Sequence, residues 1–411
     1  MSVDDSHQRG LLPRIAAAPQ LSVLPHLARR LQRGRLRLTL PDGSTHVVAG
    51  EAPGPSAELT VKRTRFVRRL LLGGSLGFAD AYIDGDVESD DIAAVIALAS
   101  RNEGALAPAL SERPWTQISA RLMHRLHPNT RSGARRNIAA HYDLGNAFYG
   151  AWLDHTMTYS SAVFTEPEAG LASAQAEKYR RIAELAELRP HHRVLEIGCG
   201  WGGFAIHAAR EIGCHVTAIT ISEAQYDAAR ARVREAGLED RVEIALTDYR
   251  DTEGTYDRIV SIEMIEAVGE AWWPTFFDTL RERLAAGGRA VLQAITIADA
   301  VFPAYRRRVD FIQRSVFPGG MLPSPSVIGE RAHAAGLTVT HRNPFGLHYA
   351  ETLRRWRQAF ERAWPDISAL GFDERFRRTW RYYLAYCEAG FDTGRIDLEQ
   401  LALDDTGQVP A

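Results

Sequence analysis

Residues 194–204 read VLEIGCGWGGF, and Gly198, Gly200 and Gly203 fit the spacing G-x-G-x-x-G. Glycines spaced this way let a backbone turn tightly and approach a ligand, commonly the pyrophosphate of a dinucleotide. A dinucleotide site also carries an Asp or Glu about 20 residues onward, at the end of the next strand, where it grips a ribose. Here that stretch ends in Thr220-Ile221-Ser222, and Glu223 already opens the following helix. An acid stands inside the loop instead: Glu196, two residues before Gly198. A carboxylate sits poorly beside a pyrophosphate and well beside a cationic ligand with an amino group. The residue types therefore favour such a cation over a dinucleotide.

The elements that must position this loop alternate in type. HRVLEIG (192–198), HVTAITIS (215–222), RVEIALTD (241–248), YDRIVSIEM (256–264) and RAVLQAITI (289–297) read as strands. GGFAIHAAREIG (202–213), EAQYDAARARVREAG (223–237) and WWPTFFDTLRERLAAGG (272–288) read as helices between them. That alternation predicts an α/β fold with a doubly wound, mostly parallel sheet, whose ligands lie beyond the carboxyl ends of the strands. Asp248 and Tyr249 follow the third strand at that edge, where Asp248 could contact an adenine or cap a helix. From 351 to 391 the chain is helical in pattern and rich in aromatics, among them Trp356, Phe360, Trp380, Tyr383 and Tyr386. Plain core packing is the ordinary role of such a stripe; walling an apolar channel is the alternative.

Length points to two domains, since 411 residues exceed one ordinary compact unit. Residues 1–110 are expected to form a smaller α+β domain, for lipid docking or homodimer formation. Its RLRLTLPDGSTHVV (35–48) is a hairpin signal around Pro41-Asp42-Gly43, and an amphipathic helix is expected near 90–100. Residues 111–136 form a basic linker with Arg113, Arg121, Arg125, Arg131, Arg135 and Arg136, read either as a solvated connector or as an electrostatic foot on an anionic membrane. Residues 137–411 carry the glycine loop. The net charge of −2 offers nucleic acid no polybasic partner. The start, MSVDDSHQRG, lacks an apolar run, and no segment reaches the roughly 20 apolar residues that span a bilayer. Cys199, Cys214 and Cys387 lack metal-site spacing, so no metal and a reduced, cytoplasmic setting are expected. Lys62 and Lys178 are the two lysines; every other basic side chain besides histidine is arginine.

The extended motif E-x-G-C-G-x-G resembles that of S-adenosylmethionine-dependent, class I methyltransferases. A more specific likeness runs from about 137 to the C-terminus. HYDLGNAFYGAWLD (141–154), TYSSAVF (158–164), TISEAQ (220–225), DYRD (248–251), RIVSIEMIEAVG (258–269), FPGGMLPS (317–324) and YYLAYCEAGF (382–391) resemble cyclopropane fatty acid synthases and mycolic acid methyltransferases. The resemblance implies a Rossmann-like fold and transfer of a methyl or methylene group from S-adenosylmethionine to the double bond of an unsaturated acyl chain. The acceptor would be a phospholipid at a membrane surface, with the protein peripherally bound. Tyr159 and Ser160 would close over the cofactor. Glu196, Gly198, Cys199, Gly200 and Gly202 would hold its methionine part. Thr220, Ser222 and Gln225 would lie along its ribose, with Asp248 and Tyr249 at the adenine. Glu266 and Tyr349 match the active-site glutamate and tyrosine and would hold a bicarbonate ion acting as base. Ile295 would help through its backbone, and Ser161 through its own N–H. Cys387 matches a candidate nucleophile, but a carbocation route needs no covalent enzyme intermediate, which favours a structural thiol.

The chemistry accounts for these groups. An alkene is a weak nucleophile, so the donor methyl must be held close and in line. The resulting carbocation must be kept from water and can be stabilised by aromatic faces. Three positions depart from the family pattern: Ser161 replaces a cysteine, and Ala267 and Gln293 replace histidines. Glutamine donates a hydrogen bond but carries no charge near neutrality. Ring closure, a methylene branch and a methyl-branched alkene are all open exits from one cation. Two other classes stay open: an N- or O-methyltransferase of a small molecule, and a non-catalytic lipid-binding protein on a relic fold.

Overall fold

The computed structural model describes residues 19–110, 130, 133 and 144–405. The basic-linker arginines at 113, 121, 125, 131, 135 and 136 lie outside the described residues, as do residues 141–143 at the head of the HYDLGN motif. The chain divides into two compact units, Met1–Ser111 and Glu112–Ala411.

In the first unit, β1 (Arg33–Thr39) and β2 (Thr45–Ala49) form the hairpin. Its turn closes through the Leu40 N–H on the Ser44 carbonyl at 2.8 Å, and Gly43 supplies φ +81°. β3 (Ala52–Val61) pairs parallel to β1 and antiparallel to the short β4 (Val87–Glu88), giving the order β2-β1-β3-β4. β3 carries Pro53 and Pro55 beside a register shift between Arg33 and Arg35 of β1, which hides its strand character from pattern reading. Two longer helices stand out among the helices of this unit. α1 (Arg65–Ile83) is broken at Gly74, and α2 (Ile92–Arg101) is capped by the Asp91 side chain.

The second unit holds a seven-stranded sheet. Its parallel strands are β5 (Arg193–Ile197), β6 (His215–Thr220), β7 (Val242–Leu246), β8 (Tyr256–Ile262) and β9 (Leu284–Ile297). β10 (Leu337–Pro344) and β11 (Ile396–Asp405) complete it in the order β10-β11-β9-β8-β5-β6-β7. β11 runs antiparallel to both of its neighbours, so this last described strand lies inside the sheet. Residues 284–288, expected at the end of a helix, instead open β9, because Leu284 turns extended (ψ 130°) and pairs with Tyr256.

Alternate strand residues feed two cores, as a pleated sheet requires. Leu195, Ile259 and Leu292 face one side, under Phe276, Phe277 and Leu280 of α6 (Trp273–Arg283) and Ile328 of α7 (Pro325–Ala334). Val194, Val260 and Val291 face the other, under Ile182 of α3 (Leu171–Leu185), Phe204 of α4 (Gly203–His207) and Val233 of α5 (Glu223–Glu235). The strand order reverses between β5 and β8, so the crevice beyond their carboxyl ends is the place for a ligand. Two helices, α8 (Gly346–Arg362) and α9 (Glu374–Asp392), carry the aromatic stripe. No helix among the described residues is long and apolar enough to cross a membrane.

Candidate active site

The loop after β5 depends on backbone that only glycine adopts easily. Gly198, Gly200 and Gly202 have φ of +84°, +54° and +80°. The N–H groups of Gly198 and Cys199 both donate to the Ile219 carbonyl at 3.0 Å, tying the loop to β6. A methyl group on Gly200 would project into open space, whereas one on Gly203 would lie 2.4 Å from the Tyr179 hydroxyl. The first three glycines therefore shape the loop, and Gly203 lets α4 pack on α3. Glu196 is buried, and burial pushes its carboxyl up to about 8 against the opposing Ala205 N–H and Lys178. Its Oε2 has no hydrogen-bond partner. A buried acid with one idle oxygen, next to a loop with room at Gly200, fits the amino-bearing cation expected from the sequence. Cys199 differs from expectation. Its thiol is buried in the core and directed to the Gly200 carbonyl at 3.7 Å, so its side chain belongs to packing.

At the end of β6 the Thr220 hydroxyl donates to Gln225 Oε1 at 2.9 Å and accepts from the Ser222 N–H at 3.2 Å. Ser222 caps α5 by accepting from the Gln225 N–H. These three residues build one buried knot at the ligand edge. Asp248 is a cap: it accepts from the Arg250 N–H at 3.1 Å and forms a two-pronged ion pair with the Arg250 guanidinium at 2.8 and 2.6 Å. Both of its oxygens are thus engaged. Tyr249 is buried against Phe276 at 5.6 Å between ring centres, on the core side of the turn.

The TYSSAVF segment is pinned along its whole length. Tyr159 shares a hydrogen bond with Tyr383 at 2.7 Å. The Ala162 N–H donates to Thr352 Oγ1 at 3.1 Å, and the Phe164 N–H to His348 Nδ1 at 3.1 Å, so one turn of α8 holds it. Gln175 donates to the Ser160 carbonyl at 2.8 Å, and Lys178 Nζ donates to the Ser160 hydroxyl. Ser160 is thereby spent on α3 rather than left free to close over a ligand. Lys178 is fully buried, and burial pushes its ammonium down to about 7, opposed by Glu263, Asp154 and Glu196.

Two glutamates meet at the carboxyl end of β8. Glu263 Oε1 accepts from the Ser161 N–H at 3.0 Å and from Gln293 Nε2 at 2.7 Å, and its Oε2 accepts from the Tyr349 hydroxyl at 2.6 Å. Glu266 Oε1 accepts from the Ile295 N–H, and its Oε2 has no partner. Burial first, and then the neighbouring Glu263, push the Glu266 carboxyl up to about 8. Burial also raises Glu263, against Tyr349, Lys178, the Ser161 N–H and Gln293. Tyr349, expected to hold a bicarbonate ion together with Glu266, donates its hydroxyl to Glu263. Gln293, which also accepts from Gln400 Nε2 at 3.1 Å, points at Glu263 as well. Cys387 is a free thiol that burial and Asp310 push up, which disfavours the thiolate a nucleophile needs.

An aromatic wall links the glycine loop to this acid pair. Ring centres step from Trp201 to Tyr149 (5.2 Å), to Tyr159 (5.3 Å), to Trp356 (5.2 Å) and to Tyr349 (6.1 Å). Tyr349 then stacks on Phe391 at 4.5 Å.

Sequence reasoning missed Glu263 and Lys178. The signal for Glu263 was present in SIEMIEAVG, two acids three residues apart just after a strand. The signal for Lys178 was lysine kept in a chain otherwise committed to arginine: burial can neutralise an ammonium but not a guanidinium.

The chain is similar to known proteins. The sequence profile of the family described as mycolic acid cyclopropane synthetase matches residues 129–401. The tuberculostearic acid methyltransferase UfaA1 of Mycobacterium tuberculosis is 38% identical, over 97% of this chain and 96% of its own. The cyclopropane-fatty-acyl-phospholipid synthase of Escherichia coli K12 is 36% identical, over 86% of this chain and 88% of its own. Among solved structures, the mycolic acid cyclopropane synthase CmaA1, complexed with SAH and CTAB, superposes with a TM-score of 0.62 at 30% identity, covering 66% of this chain and 97% of that one. The doubly wound sheet is the class I, Rossmann-like methyltransferase fold, and with the profile match and these relatives the chain belongs to the mycolic acid cyclopropane synthetase family.

Proposed function

We propose that this protein transfers a one-carbon unit from S-adenosylmethionine to the double bond of an unsaturated fatty acyl chain, carried on a phospholipid at the cytoplasmic face of a membrane. The observation that carries the reading is the aromatic wall running from the glycine loop to two buried carboxyls. When bound, S-adenosylmethionine supplies an electrophilic sulfonium methyl. The loop at 198–202 and the idle Glu196 oxygen would hold its amino acid end, and the Thr220–Ser222–Gln225 knot would lie along its ribose. The edge bearing Asp248 would receive the adenine.

Trp356 packs against both Tyr159 and Tyr349 beside the acid pair, and such rings would stabilise the positive charge that develops on an acyl chain held against them. Such a wall also excludes water that would otherwise add to the cation. The relatives named above are said to act on fatty or mycolic acids, which supports a lipid acceptor here. The near-neutral chain, with a net charge of −2, gives no reason to invoke nucleic acid.

The test uses purified protein, S-adenosylmethionine labelled in its methyl group, and phospholipid vesicles with either oleoyl or fully saturated chains. Label is expected in the lipid fraction of the oleoyl vesicles alone. Equal labelling of saturated lipid, or label in neither, contradicts the reading.

A further inference from the structure

We propose that Glu263 is the resident base of this active site and fills the place that the family resemblance gives to a bound bicarbonate ion. The inference rests on the methyl-transfer reading above and names the group that finishes that reaction. The donors expected to hold an external anion are already committed. The Ser161 N–H and the Tyr349 hydroxyl each have one proton to give, and both go to Glu263. The Gln293 amide goes there as well, at 2.7 Å. The Ile295 N–H goes to Glu266. Two protein carboxyls thus satisfy the set of donors that a free anion would need.

The backbone is built for this placement. Glu263 sits at φ 51°, a left-handed conformation that costs a non-glycine residue on the order of 1–3 kcal/mol and survives only where the surroundings enforce it. Here Gln293 enforces it twice, since its carbonyl accepts the Glu263 N–H at 2.7 Å while its amide holds the Glu263 carboxylate. Three donors on the two oxygens also restrain a carboxylate that would otherwise be free to add to a carbocation as an ester.

The step balances simply. A C–H bond of the methylated acyl cation breaks. Its electron pair forms the closing C–C bond of a ring or a new double bond, and the proton passes to a Glu263 oxygen. The substrate goes from cation to neutral, and Glu263 from carboxylate to acid. Glu266, held by a single donor and bearing an idle oxygen, positions Ile295 at the edge of the site.

The experiment compares the wild type, Glu263→Gly and Glu263→Gln. Glycine accepts φ 51° without strain, and glutamine keeps the volume. Binding of 13C-bicarbonate is followed by NMR, and methyl transfer to oleoyl phospholipid vesicles is measured in CO2-free buffer with and without added bicarbonate. The wild type is expected to bind no bicarbonate and to run at the same rate with and without it. Glu263→Gly is expected to bind bicarbonate and to lose about 100-fold or more in rate, the usual worth of a positioned general base. Added bicarbonate is expected to restore part of that rate in Glu263→Gly and none in Glu263→Gln. Bicarbonate binding by the wild type, a bicarbonate-dependent wild-type rate, or full activity of Glu263→Gly overturns the assignment. A wild type that labels no lipid removes the functional reading, and the binding arm still decides whether Glu263 fills the anion site.

Discussion

The Tyr349 hydroxyl donates to Glu263 Oε2 at 2.6 Å, and Glu266, only three residues further along the chain, receives nothing from it. Tyr349 is buried on α8, stacked on Phe391, so its ring has little freedom to choose another partner. Tyr349→Phe keeps that stack and removes one donor from a buried carboxylate. The expected cost is about 1–3 kcal/mol of stability, read as a lower denaturation midpoint. In kinetics the loss should fall on kcat more than on KM, because the hydroxyl touches the acid and not the binding surface for lipid.

Lys178 is the buried cation among Glu196, Asp154 and Glu263. Lys178→Met preserves the volume and deletes the charge, and burial has already moved the ammonium down to about 7. The variant should fold, and its midpoint relative to that of wild type should fall as pH rises from 7 to 10.5, the window over which the wild-type lysine regains its contribution. It should still lose activity, since Ser160 loses its anchor on α3. Lys178→Glu, placing an acid among acids, should fail to give soluble folded protein. Circular dichroism and urea titration of the two variants check the contrast.

Glu266 predicts a pH dependence of definite sign. Its carboxyl keeps a proton in the folded state up to about 8, and in the unfolded chain only to the ordinary 4.5. Between those values the folded state binds more protons, so this contribution to stability is complete below 4.5 and is lost as pH rises through 8. Glu196 behaves alike, and Lys178, depressed to about 7 from 10.5, acts in the opposite sense: its contribution is complete above 10.5 and is lost as pH falls through 7. Glu266→Gln removes one term alone. The melting temperature of wild type relative to this variant should therefore decline steadily from pH 5 to pH 8, and a difference that is flat or rises with pH contradicts the assignment.

Cys387 lies on α9 with its thiol pushed up by burial and by Asp310. Cys387→Ala should keep activity within about twofold, the small effect expected where a side chain only packs. Loss of turnover with an unchanged melting curve would restore a chemical role for the thiol.

The parallel part of the sheet was legible in the sequence because each strand and helix carries its own periodicity and its own stop. Ser222 opens α5, and Gly237, at φ +65°, follows its end. β11 was not legible, because nothing local distinguishes a strand that closes the sheet antiparallel between β9 and β10 from a tail. Within the site, Glu196 and the glycines announced themselves by spacing, and Glu266 and Tyr349 by family likeness. What linked them was hidden. The fact that Tyr349 belongs to Glu263 is set by α8 returning over β8 some 86 positions later in the chain. Pattern reading saw Gln293 as a weakened histidine, whereas the folded chain uses it as a clamp on Glu263 through both its amide and its carbonyl.

The central claim is methyl transfer to an acyl double bond, and fatty acid analysis of cells expressing the protein tests it most directly. Cells are grown with methyl-deuterated methionine, and fatty acid methyl esters are resolved by gas chromatography and mass spectrometry, with Glu263→Gln expressed alongside. Unsaturated chains should gain one labelled carbon in the wild-type cells and none in the variant. Two deuterium atoms retained in the new product mark a cyclopropane or a methylene branch, of which only the methylene branch keeps a double bond, and three mark a methyl-branched alkene. Unsaturated chains of unchanged mass in cells that contain the folded wild-type protein would contradict the claim.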